Sequence, residues 1–301
     1  MLFPSRLLGR NPSHAATNVR RARVKPGGFR PGLESLEGRV VLSTLTVINN
    51  LDSGPGSLRA EILAASPGDT VNFDPGLNGQ TITLTSNELD INKSLTIQGP
   101  GAAQLAISGG HTWRVFDTHT PNTNVMLSGL TITQGNGRGY AAGGSGGGIA
   151  NGNGCTLTVS GCTVSNNRAS NYGGGIYNSV ATLNIVNSTI SGNSVNDYNG
   201  GGKGGGVYST AGAVVSITGC AITNNTAGFQ GGGIWIIGTT MTISGSTLSG
   251  NKARFSGGVF NGASSAYTLT VTNCVFSANT STYYSYPITG PWTNGGGNTF
   301  K

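Results

Sequence analysis

Charge is scarce in this chain: of 301 residues only 9% are Asp, Glu, Lys or Arg, and past Asp117 a single acid, Asp197, remains. That scarcity excludes the highly charged disordered class, and also an ordinary helical enzyme with Lys and Glu along its exposed helix faces. Long apolar runs are missing too. The best local stretch, Ile234 to Ile237, falls far short of the ~18 residues a membrane-spanning helix needs, so no transmembrane segment is expected. No CxxC pair stands near any of the 3 histidines, so a zinc site, or any metal or cofactor, is not expected. Glycine, by contrast, is abundant: 52 residues, about 17% against a usual ~7%, yet never at every third position, which excludes collagen. Something periodic is using it.

The formal charge of +7 belongs to an arm. Residues 1–43 hold Arg6, Arg10, Arg20, Arg21, Arg23, Lys25, Arg30 and Arg39 against Glu34 and Glu37, whereas the remainder is close to neutral. The arm reads as a disordered targeting or processing segment. It lacks the apolar centre of a standard secretory signal, and no basic face continues it into the body, so nucleic acid is not an expected partner.

From about residue 124 to 280 the chain repeats, and repeats decide the fold before anything else. A glycine cluster followed by a β-branched residue ends at Ile149, Ile176, Val207, Ile234 and Val259, in steps of 27, 31, 27 and 25. An apolar residue followed three later by asparagine recurs at Asn167, Asn193, Asn225, Asn251 and Asn279, in steps of 26, 32, 26 and 28. The two markers share one period. Segments such as TLTVSGCTVSNN (Thr156 to Asn167) alternate apolar with Thr or Ser, the pattern of short strands with one face buried.

Each unit therefore reads as three strands, with a longer variable loop before the glycine strand. A unit of ~27 residues cannot bury its own apolar face, but coiled on like neighbours it closes a narrow core with parallel strand pairing. The expected fold is all-β, a single right-handed parallel β-helix over 44–301. Similar spacing in Val71 to Leu84, Leu89 to Ile97, Leu105 to Ile107 and Val125 to Ile132 brings the count to about eight coils.

Open coil ends need caps. Ser57 to Ala65 is the convincing helix, with Ser57 as N-cap, and is placed over the N-terminal end of the core. Residues 281–301 are atypical and read as a C-terminal cap or a fragment boundary. Stacked asparagines are expected to bond along the axis as a ladder. Cys162, Cys220 and Cys274 share one repeat position with Ser188 and Ser246, so neighbouring cysteines lie two coils apart, ~9.6 Å, beyond the ~7 Å Cα limit for a disulfide. They read as small core residues, and Cys155 as a lone thiol.

The stretch Thr44 to Ala102, with GSLRAEILAASPGDTVNF and QTITLTSNELDINKSLTIQGPGA, resembles the N-terminal part of right-handed parallel β-helix proteins of the pectin-lyase-like superfamily, in which a CSLREA-type helix caps the coil. The later units resemble the GGA-I and FxxN repeats of polymorphic outer-membrane proteins, here GGGI and Phe276-Ser277-Ala278-Asn279. Leu33 to Ser43 is similar to the LEPR-XLL type motif near the N-termini of large secreted bacterial proteins. These resemblances imply the β-helix fold and an extracellular or cell-surface location. They leave open an enzyme, a binder or a passenger of a larger surface protein, because one scaffold hosts all three.

Enzymes of that superfamily cut polysaccharides with carboxylates, and here any pair would have to come from the early coils. His111, Asp117 and His119 share parity on an extended segment and could form an acid–base pair or hold a metal; the other reading is a solvated loop. Arg138, Arg168, Lys203, Lys252 and Arg254 read as scattered solubility charges on loops. If the residue after the glycines points inward, the next points outward, and that column reads Ala150, Tyr177, Tyr208, Trp235, Phe260. Tyr177, Tyr208, Trp235 and Phe260 are the candidate ligand-binding residues, for a glycan or a surface protein. A ring stack that only stabilises adjacent strands is the other reading. The first functional expectation is thus a monomeric, non-catalytic β-helix that works by binding or display, and the alternative a polysaccharide lyase or glycoside hydrolase.

Overall fold

The computed structural model describes residues 42–137, 144–196, 201–262, 266–283 and 286–301, all within the unit Val41–Lys301. Most of the basic arm, the LEPR-XLL-like motif up to Val41, Arg138 and Asp197 lie outside the described residues. The fold is the expected all-β right-handed parallel β-helix, with one short helix. Three sheets of 16, 9 and 5 strands run along it.

The 9-stranded sheet takes one strand per coil, from Gln80–Thr83 through Thr163–Ser165 to Thr299–Phe300, so there are nine coils where about eight were expected. The additional coil comes from the stretch read as atypical. Ile288–Thr289, Thr293–Asn294 and Thr299–Phe300 pair in parallel with Val259–Asn261, Leu269–Thr272 and Val275–Ser277. Their strands are two residues long, too short for alternation to show in sequence.

A second difference is an additional strand in each regular coil. The loop after the asparagine contains Arg168–Ala169, Ser194–Val195, Thr226–Gln230, Lys252–Phe255 and Thr280–Ser281, which form the 5-stranded sheet. Arg168, Lys252 and Arg254, expected on loops, stand on these strands. The strands form because Ala169, Val195, Ala227 and Ala253 are small and apolar and tuck into the body, each preceded by an outward polar residue.

Alternation fills the core as the sequence requires. Leu157 and Val159, Leu183 and Ile185, Val215 and Ile217, and Met241 and Ile243 lie in register on successive coils and are all buried. Opposite them sit Val164, Ile190, Ile222, Leu248 and Phe276. Each such side chain contributes ~1.5–3 kcal/mol on burial. The four cysteines are free and buried; the Cys162 and Cys220 amides donate to Ser188 Oγ (3.1 Å) and Ser246 Oγ (3.0 Å) on the next coil. Burial pushes the Cys162 thiol up to about 11, so it stays protonated and inert.

The asparagines stack in single file. Nδ2 of Asn167, Asn193 and Asn225 donates to Oδ1 of the next asparagine at 3.0 Å, and Asn251 does so to Asn279 at 2.9 Å. Each Nδ2 also donates to a carbonyl of the preceding coil, as Asn225 does to Ile190. The residue before each ladder member has a positive φ: Asn166 55°, Gly192 63°, Asn224 56°, Gly250 64°, Ala278 51°. This explains the NN and GN spellings, since Asn and Gly tolerate that conformation best.

A second polar file runs inside the glycine strands, from Thr118 Oγ1 to Asn151, Asn178 and Ser209 (2.9, 2.7 and 3.1 Å). The glycines ahead of these strands let backbones pass closely. A Cβ on Gly232 would lie 2.5 Å from Lys252 O and 2.7 Å from Gly257 O.

The helix Leu58–Ala64 is capped by Ser57, which accepts from the Ala60 amide, and buries Leu58 and Ile62 against the first strands. Arg59 ties it down, donating to Asp52 (2.7 Å) and to the carbonyls of Asn87 (2.6 Å) and Glu88 (2.8 Å).

Candidate functional site

Strand register places one continuous outward column along the rod: Asp90, Asp117, Ala150, Tyr177, Tyr208, Trp235, Phe260. Its early end is acidic and its late end aromatic. Phe116 and Thr118 turn inward on the strand Phe116–Thr118, so Asp117 turns out, and His119 follows with the same parity.

The two ends of the column differ in construction. At the early end Arg114, 0% exposed, organises the cluster: its Nη1 donates to Asp117 Oδ2 (2.6 Å) and Glu88 Oε2 (2.9 Å), while Nε and Nη2 donate to the carbonyls of Gly146 and Ser145 (both 3.0 Å). The second oxygen of Asp117 bonds His119 Nδ1. The His119 ring lies over Gly152, where a Cβ would stand 2.6 Å from its Cδ2, so only glycine leaves the ring room there. Asp90 is exposed on the neighbouring coil, in register with Asp117.

Burial raises the Glu88 carboxyl above its ordinary range, with Arg114 pulling it down and Asp117 and Asp90 adding to the rise. Partial desolvation of its carboxyl by the neighbouring coil, although the residue as a whole is exposed, also raises Asp90, helped by the Asp117 charge and opposed by His119. Two acids that hold protons longer than usual thus flank a carboxylate bound to Arg and His. Raised acids beside a buried charged cluster mark a candidate acid–base site.

Of the triad read from the sequence, Asp117 and His119 meet and His111 does not. His111 sits exposed in a turn with φ 60°, where its carbonyl accepts from Asn136 Nδ2. The turn after Ser108 breaks the extended run, so parity counted across it has no meaning. Glu88, Asp90 and Arg114 were missed. Asp90 precedes Asp117 by 27 residues, one repeat period, and that spacing would have found it. Among the described residues, no group of three or more His, Cys, Asp or Glu is arranged to hold a metal ion.

At the late end the rings are stacked on one another. Centroids of Tyr177 and Tyr208 are 5.4 Å apart, Tyr208 and Trp235 4.6 Å, and Trp235 and Phe260 6.5 Å, with planes within 12°. The preceding loops close over the middle of the stack. Tyr172 lies 4.6 Å from Tyr208, Lys203 Nζ is 4.9 Å from the Trp235 centroid, and Trp235 Nε1 donates to Gln230 Oε1 at 3.1 Å. Tyr208 and Trp235 are left 7% and 4% exposed, while Tyr177 and Phe260 are half-buried. The column is outward of the core, as expected, but the ring faces of its middle members are occupied by each other.

No family model and no curated protein matches the chain. Among solved structures it is similar to pectate lyase Pel9A, with 14% identity, TM-score 0.45, and coverage of 83% of this chain and 78% of that one. It is also similar to a mannuronic acid specific polysaccharide family 6 lyase from human gut microbiota, with 10% identity, TM-score 0.33, and coverage of 78% and 59%.

Proposed function

We propose that the early coils carry an acid–base site that cleaves a linear glycan laid along the rod. The observation behind this reading is the register of Asp90 with Asp117, with His119 held at Nδ1 by Asp117. In this reading Asp117 orients the His119 ring, which leaves Nε2 to take a proton from a water whose oxygen bonds the anomeric carbon as the glycosidic C–O bond breaks. Asp90, which keeps its proton longer than an ordinary carboxyl, gives it to the departing glycosidic oxygen. For elimination the same base would take a carbon-bound proton instead. Glycan is chosen because the column runs in register over seven successive coils, and because of the resemblance of residues 44 to about 280 to pectin-lyase-like proteins. In this reading the protein works outside the cell or on its surface.

The test is a polysaccharide panel read for new reducing ends and for unsaturated products. Turnover should fall ~10²–10⁴-fold in Asp117→Asn and in Asp90→Asn. No turnover on any polymer, or turnover indifferent to both changes, would sink it.

A second reading, binding or display without catalysis, is favoured by the half-buried rings at the two ends of the stack. Tyr177 and Phe260 would then be the contact residues, with Tyr208 and Trp235 as their support. Glycan-array binding lost in Tyr177→Ala and Phe260→Ala, with no product formed, would select it.

A further inference from the structure

Away from the acid–base cluster, the 5-stranded sheet carries a second concentration of chemistry. Lys252 and Arg254 are exposed on one strand, with Ala253 buried between them, so both point the same way about 6.8 Å apart along the chain. They border an open groove of about 420 Å³ lined also by Thr226, Gly228, Thr282 and Tyr283. Arg254 is held over two rings, its guanidinium carbon 5.2 Å from the Tyr283 centroid and 5.9 Å from Phe255, and its Nη2 donates to Tyr283 Oη at 3.3 Å. Arg168 stands in the same column as Lys252, three layers back, ~14 Å along the axis. Described residues 118–301 hold Arg168, Lys203, Lys252, Arg254 and Lys301 and no carboxylate side chain.

We infer that this groove binds an oxyanion carried on a polysaccharide, with Lys252 supplying the charge and Arg254 and Tyr283 a preorganised guanidinium and ring. Charge complementarity selects the anion. The number of bases selects the carrier: duplex nucleic acid is held through 6–10 phosphate contacts, and a membrane surface through clusters of about 4–8 basic residues. Two cations beside a tyrosine ring and threonine hydroxyls suit a sugar acid or sugar sulfate. The inference does not rest on the proposed acid–base site, which lies on another sheet.

The experiment measures binding of the full chain to polygalacturonate, dextran sulfate, neutral dextran and duplex DNA at two salt concentrations. Capture of one or both anionic polysaccharides, weakened by salt and roughly tenfold by Lys252→Glu, is expected, with dextran unbound. The carboxylated and sulfated polymers tell which oxyanion is preferred. Arg254→Gln should act in the same direction, and an unchanged unfolding midpoint shows that each variant is folded. Binding of dextran as tightly, DNA as tightly, neither anionic polymer, or no change in Lys252→Glu would each overturn the inference. Because the readout is binding, the result stands whether or not Asp117→Asn abolishes turnover.

Discussion

The coils up to Thr118 and those from Ile149 onward fill their core alike and finish their outside differently. Residues 42–117 carry Asp52, Glu61, Asp69, Asp74, Glu88, Asp90 and Asp117 against Arg59, Lys93 and Arg114. The described residues beyond carry Arg168, Lys203, Lys252, Arg254 and Lys301 and no acid. In one column the early coils place Asp90 and Asp117, the latter tied to Glu88 beside it by a buried arginine, and the late coils place stacked rings. The difference shows that the hydrophobic core fixes the layers while the outer column is free to vary. Ion pairing holds the outer column together in one half, and stacked rings in the other.

The largest expected effect comes from breaking the early half of that contrast. Arg114→Met leaves Glu88 and Asp117 without their cation and two carbonyls without a donor, at a cost of ~3–5 kcal/mol. The counterpart Arg168→Met, on an exposed late-coil position, should cost less than ~0.5 kcal/mol. Urea unfolding of the two variants measures both, and equal losses would erase the distinction.

The late half has its own weak point. Asn225 accepts from the amide and side chain of Asn193 and donates to Ile190 O and Asn251 Oδ1, all within 3.0 Å and all buried. Asn225→Ala should therefore cost about 3 kcal/mol, the penalty for orphaned buried polar groups. Asn279→Ala, at the half-buried end of the file, should cost about half as much in the same unfolding assay. If the end and the middle lose equally, the file is not acting as a ladder.

The asparagine ladder was legible in the sequence, because a polar residue recurring once per coil at fixed spacing must stack on itself. So was the core, through period-two alternation repeated every ~27 residues. The 5-stranded sheet was not, since two-residue strands such as Arg168–Ala169 carry no periodicity. Half of the early cluster was legible: Asp117 and His119 share parity, but Glu88 and Arg114 meet only after turns of irregular length fold back. The register of Tyr177, Tyr208, Trp235 and Phe260 followed from the repeat. Their cover did not, because Tyr172, Lys203 and Gln230 arrive from the loop whose length varies most.

Protons separate the two halves more gently. Glu88 and Asp90 have raised pKa values, so their contribution to stability is complete below the ordinary carboxylate range and is lost as pH rises through the raised values. Acidification from neutral pH toward the ordinary carboxylate range should therefore tighten the strands Leu89–Asp90 and Phe116–Thr118. Asp52 has the opposite sign. Burial alone would raise it, but the Ser86 hydrogen bond and Arg59 outweigh burial and lower it, so its contribution is present above its ordinary value and lost as pH falls below about 4. Amide exchange, corrected for intrinsic rates, should show gain and then loss around the cap and the first coils. The strands Thr189–Ser191 and Ala221–Thr223 should stay level, and parallel changes in them would contradict the assignment.

The smallest effect sharpens the regularity of the late coils. The turn leaving each glycine strand needs a left-handed residue, supplied by Asn153 (φ 53°) and by Gly238 (φ 57°) but at one coil by Val180 (φ 54°). A β-branched side chain is the least suited to that conformation, and Val180 is 55% exposed, so its methyls gain little from burial in return. Its amide and carbonyl pair with Thr210 O (3.3 Å) and the Gly154 amide (2.6 Å), and both bonds survive a side-chain change. Val180→Asn should therefore stabilise the fold by ~0.5–1 kcal/mol, seen as a raised unfolding midpoint with the outer column untouched. A loss of stability would mean that the valine packs against something the turn geometry alone does not reveal.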